Sequence, residues 1–135
     1  MDGIRSNYFE FFIRAYEDKL ILNEHLEHLG AFIDFSNEKK APLIVIILPF
    51  FHNLPLSNEM YGEEIEGYFK DRNIKTINLC EDEYLLSLTI DELVVSNFDY
   101  HCSMAVHEHI SKLLSELVTK NFNEQFPEST GQLSE

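Results

Sequence analysis

Leu43-Ile44-Val45-Ile46-Ile47-Leu48, closed by Pro49, restricts the fold of this chain more than any other feature. A half-exposed strand alternates apolar and polar side chains. A continuous, β-branched apolar run instead suits a strand covered on both faces, as in a parallel sheet. Pro42 disfavours helix at the residue before it, and Ser36-Asn37-Glu38-Lys39-Lys40 reads as a polar turn. Residues 50–58, following Pro49 and holding Pro55, Asn53 and Asn58, read as a loop. Beyond them Tyr61, Ile65, Tyr68 and Phe69 share one face of a helix over 61–72, which Asn73 stops. Ile74-Lys75-Thr76-Ile77-Asn78-Leu79 reads as a second, shorter strand. Strand, helix, strand over this length is the span of a parallel crossover.

The flanks are helical. Phe9, Phe12, Ile13, Tyr16, Leu20, Leu26, Leu29 and Ile33 recur at helical spacing, predicting one helix over 8–35 or two broken near Asn23 or Gly30. Ser6 or Asn7 would cap its start, with Glu10 as the reciprocal residue of a capping box. An acidic stretch over 81–91 has room for a short helix, and Leu93-Val94-Val95 leads into a loop at Asp99. Val106, Ile110, Leu113, Leu114 and Leu117 then mark an amphipathic helix over 105–119. The predicted order is α-β-α-β-loop-α, within a single α/β domain over 1–121. Residues 122–135, polar and holding Pro127 and Gly131, read as a flexible tail. Two strands make a thin sheet, and the run at 43–48 would leave an apolar edge uncovered. That edge calls for a homo-oligomer or for an N-terminal half supplied from elsewhere.

Composition narrows the function classes. The chain has 135 residues, enough for one core, and 44% are apolar, which excludes wholesale disorder. The formal charge is −14, which argues against nucleic acid as a partner, because Lys and Arg must replace phosphate counterions there. Two cysteines, Cys80 and Cys102, are too few for a disulfide framework. No signal-peptide core follows Met1, and the longest apolar run is far short of a membrane span. A soluble protein with no membrane partner is expected, with the cytoplasm favoured.

The chemistry-bearing stretch is Asp99-Tyr100-His101-Cys102-Ser103-Met104-Ala105-Val106-His107-Glu108-His109-Ile110-Ser111. An Asp beside a His can fix one imidazole tautomer and leave the other nitrogen free to accept a hydroxyl proton. Together with the strand ending Ile46-Ile47-Leu48-Pro49-Phe50 and the strand at 74–79, this stretch resembles the C-terminal half of SGNH (GDSL-type) serine hydrolases. Asp99, His101, Ser103, His107 and Ile110 match in register the family's closing pattern, Asp-x-His-Pro-(Asn/Ser)-x3-His-x2-Ile. The resemblance implies a flavodoxin-like three-layer α/β/α fold and a small ester as substrate, with no cofactor. It makes His101 the general base and Asp99 the residue that orients it, with His107 a packing or hydrogen-bonding residue at the helix start. Cys102 stands where the family has Pro. The family's Gly-Asp-Ser and Gly-x-Asn-Asp blocks are absent from these residues, so the nucleophile and the oxyanion donors are missing. The chain by itself is expected to be inactive.

Other readings compete with this one. Asp99 and His101 could simply be polar residues at the lip of the last helix. His107 and His109, two apart on a helix, diverge where an i, i+4 pair would converge, which argues against a metal site. Cys102 and His101 are adjacent, a spacing that seldom gives hydrogen-bond geometry, and acidic surroundings disfavour an anionic sulfur. His52 follows the end of the first strand, where α/β sheets bind ligands, but an ordinary loop His also fits. The alternative function is a non-catalytic, acidic interaction protein that self-associates or docks a partner through its uncovered sheet edge.

Overall fold

The computed structural model describes residue 11, residues 13–96 and residues 99–125, with only the backbone described at 99 and at 121–125. It is a mixed helix-and-strand structure whose described residues group into two compact units, divided between Leu88 and Thr89. Among the described residues no helix is long and apolar enough to cross a membrane.

The first unit is built on a parallel strand pair. Residues 13–17 are helical, and Asp18 separates them from helix α1, Lys19–Lys39. The Asp18 carboxylate accepts from the Leu20 N–H at 2.9 Å and so caps the new helix. This break falls before Asn23 and Gly30, through which the helix runs uninterrupted. It also resets the apolar phase: Leu20 is 81% exposed, and Leu22 takes the fully buried place with Leu26 four residues on. The capping residues predicted at 6–10 lie outside the described residues.

Helix α1 also continues through Ser36-Asn37-Glu38-Lys39, which the sequence reads as a turn. It ends where Lys40 turns left-handed, at φ 52°. There the Lys40 N–H donates to the Asn37 carbonyl and the Ala41 N–H to the Ser36 carbonyl, satisfying two of the last free carbonyls. Polar residues are compatible with an exposed last turn, so only the backbone reversal at Lys40 sets the boundary.

Strand β1, Ile44–Ile47, pairs in parallel with β2, Lys75–Asn78, with Ile44 opposite Lys75 and Ile47 opposite Asn78. Between them the chain is helical earlier than its prolines suggest. Asn53 caps α2, Leu54–Ser57, by accepting from the Leu56 N–H, and Pro55 sits in the first turn, where its missing N–H costs nothing. A π turn over Asn58–Gly62 leads into α3, Glu63–Lys70. Asn73 does terminate this helical stretch: it is left-handed, and the Asn73 and Ile74 N–H groups return to the Lys70 and Phe69 carbonyls. A 3-10 turn over Leu79–Glu81 and the short α4, Glu83–Ser87, complete the unit.

Leu22, Leu26, Ile47, Tyr61, Ile65, Phe69 and Cys80 form its core. Each fully buried Leu or Phe stabilises the fold by roughly 1.5–3 kcal/mol relative to exposure. Two glycines permit the close packing: a Cβ on Gly30 would stand 2.6 Å from the Tyr68 hydroxyl, and one on Gly62 would stand 2.6 Å from Asn58 Oδ1 and 3.1 Å from Cys80 Sγ.

The second unit is a hairpin feeding a long helix. Thr89 and Glu92 cap α5, Ile90–Leu93, reciprocally: the Glu92 carboxylate accepts from both the backbone N–H and the hydroxyl of Thr89, each at 2.8 Å. Strand β3, Val94–Ser96, pairs antiparallel with β4, Asp99–Cys102. The loop expected at Asp99 is therefore a strand, because a pairing partner, β3, lies only a few residues away along the chain. Helix α6 spans Met104–Gln125, longer than the helix expected over 105–119, since no Gly or Pro interrupts the chain before Pro127.

Candidate functional site

The Asp99–His107 segment lies at the junction between β4 and α6, in the second unit. The register there is irregular. Val94 stands opposite Cys102 and Ser96 opposite Asp99, so β4 carries one residue more than β3 over the same length. Such a bulge breaks the strict two-residue alternation of a strand, so the spacing of 99 and 101 does not by itself put them on one face. His101 is exposed, and the side chain of Asp99 lies outside the described residues.

Ser103 organises the junction. Its N–H donates to the Leu93 carbonyl at 2.9 Å and its hydroxyl to the Glu92 carbonyl at 2.5 Å. The same oxygen accepts from the Val106 N–H at 3.4 Å, which makes Ser103 the N-cap of α6. The end of α5 and the start of α6 are thereby tied through one side chain.

One consequence escaped the sequence reading. Cys102 precedes the cap, His107 is the fourth residue of the helix, and the two side chains meet, with Sγ 3.2 Å from Nε2. The imidazole that meets the thiol is that of His107, five residues on, whereas the adjacent His101 has the spacing that seldom gives hydrogen-bond geometry. The signal was present in the residue types: once Ser103 is taken as the cap, the positions just before the cap and four after it pack against each other. Among the described residues no three His, Cys, Asp or Glu side chains converge as a metal centre requires.

A second feature lies in the first unit. All four residues of β1, together with Tyr16, His25 and Phe32, line an apolar groove of about 330 Å³. β1 pairs with β2 on one side, and among the described residues no strand pairs with its other side. Tyr61 seals one end of the strand, its hydroxyl donating to the Leu48 carbonyl at 2.8 Å, and burial pushes that phenol up to about 12. His52, just beyond β1, is held below the ordinary imidazole value by burial, so it is disposed to stay neutral.

Compared with protein-family models, with curated proteins and with solved structures, the chain matches none.

Proposed function

We propose that this chain is the C-terminal portion of an SGNH/GDSL-type acyl hydrolase acting on small carboxylic or carbohydrate esters. In this reading the fold is part of a flavodoxin-like three-layer α/β/α domain. The observation that carries it is the parallel β1–β2 pair joined through helix, in a chain whose Asp99-x-His101 segment runs directly into the long α6. His101 is the general base that takes the proton of a serine hydroxyl, and Asp99 orients the ring and stabilises the imidazolium. The serine and the oxyanion donors come from a segment outside these residues, which also covers the free side of β1. The chain alone hydrolyses no ester by this route, because it lacks both the attacking atom and the main electrostatic stabilisation.

The test is hydrolysis of p-nitrophenyl acetate by this chain and by a longer product of the same gene. Activity is expected only in the longer form, and His101→Ala should lower it there by about a hundredfold or more. Undiminished activity in that variant would sink the assignment.

The β1 groove favours a second reading, a non-catalytic interaction protein that docks a partner strand or another copy of itself along β1. Light scattering after size exclusion separates the two. A monomer at every concentration argues against self-association through that edge.

A further inference from the structure

Neither the hydrolase reading nor the β1 groove uses Cys102 and His107. The positions they occupy, one before the cap and four after it, usually carry two apolar side chains that staple the incoming chain to the helix. Here they carry a nucleophile and a base, with Sγ 3.2 Å from Nε2. The geometry is held from both sides. Cys102 is fixed by its pairing opposite Val94 in the hairpin, and Ser103 ties the first turn of α6 to the carbonyls of Leu93 and Glu92. The pair therefore sits at a strand end and a helix start whose neighbours are already bonded, so little ordering remains to be done when it reacts. Cys102 is half-buried and His107 exposed, which leaves the sulfur within reach of a small molecule.

We propose that Cys102, with His107 as its base, is a thiol–disulfide exchange site for small disulfides. With the ring proton on Nδ1, Nε2 of His107 accepts the thiol proton, and the sulfur is left as a thiolate facing an imidazolium. The thiolate attacks one sulfur of the small disulfide. A bond forms between Sγ and that sulfur, the original S–S bond breaks, and its electron pair leaves on the second sulfur. The imidazolium returns its proton to that departing thiolate. Cys102 ends as a mixed disulfide and the reagent as one free thiol, so the small disulfide is itself the oxidant and the electrons balance. The product places a bulky group at the mouth of the β4–α6 junction, one residue from His101. Cys80 does not compete: it is 1% exposed, and burial, followed by the charges of Glu81 and Glu66, pushes its thiol up to about 12.

The experiment follows release of thiopyridone from a neutral dipyridyl disulfide near neutral pH, with mass spectrometry locating the adduct. In the folded wild type the adduct should form on Cys102, and faster than on the same cysteine in concentrated guanidinium chloride, where His107 no longer faces it. His107→Gln, at an exposed position, should slow the folded reaction at least about tenfold and leave the denatured rate unchanged. Equal rates for folded wild type and folded His107→Gln overturn the proposal. So does an adduct on Cys80, or a folded wild type that reacts no faster than the denatured chain. The last two need no variant and hold even if the substitution disturbs folding.

Discussion

The turn after β2 and the turn after β4 are assembled from the same parts and carry opposite chemistry. In each, a strand ends, a polar side chain caps the turn that follows, and a cysteine lies within two residues of the cap. Asn78 Oδ1 accepts from the Cys80 N–H at 3.1 Å, and a Cβ on Gly62 would come within 3.1 Å of the Cys80 sulfur. Cys102 instead precedes its cap and stays partly open against His107. The deciding variable is which side of the cap the cysteine occupies. A residue just after the β2 cap follows the turn into the core, whereas a residue just before the α6 cap lies over the first turn of the helix. The same residue type, cysteine, is therefore packed into the core at one junction and faces an imidazole at the other.

That contrast can be broken most directly in the core. Leu79 begins the turn after β2 and is fully buried, so Leu79→Ala should cost roughly 2–5 kcal/mol in a denaturant titration. At the matching place in the second junction Met104 is 73% exposed, and Met104→Ala should stay within about 0.5 kcal/mol. Comparable losses at both would mean that the two turns are packed alike.

A smaller effect is expected from the cap itself. Ser103→Ala removes the oxygen that accepts from Val106 and donates to the Glu92 carbonyl, at a cost of about 0.5–2 kcal/mol. Because the same oxygen holds the first turn of α6, next to which Cys102 meets His107, the folded thiol should also react more slowly in this variant. Lost stability with an unchanged exchange rate would separate the cap from the chemistry.

The smallest expected change concerns acid. The backbone N–H of Thr89, then its hydroxyl, hold the Glu92 carboxyl below its ordinary value of 4.5. A carboxylate with a lowered folded pKa contributes its stability above the unfolded value and loses it as pH falls through the folded one. Wild-type thermal midpoints should therefore fall more steeply below about pH 4.5 than those of Glu92→Gln. Parallel curves would show that the reciprocal cap at Thr89 contributes nothing to the second unit.

Much of the first unit was legible in the residues. The apolar run at 43–48, the face formed by Tyr61, Ile65 and Phe69, and the stop at Asn73 follow from local periodicity and from a side chain that tolerates a left-handed backbone. Boundaries were less legible where a polar residue suits two states equally. Ser36-Asn37-Glu38-Lys39 can be a turn or an exposed last turn of helix, and Pro55 can break a helix or begin one. The hairpin over 94–102 was read as a loop because neither of its short strands has a pattern long enough to announce itself.

The amino-acid order on its own determined that this chain joins an apolar strand to a shorter, more polar one through helix and presents Asp99, His101, Cys102 and His107 near the start of a long amphipathic helix. These are properties of neighbours along the chain, where backbone preference and side-chain period act within a few residues. Only tertiary structure decided that Cys80 is enclosed, that β4 takes an extra residue beside β3, and that Cys102 meets His107 and not His101. Each of those outcomes depends on which groups are brought together across a turn, and that is set by caps, registers and packing that no single position encodes.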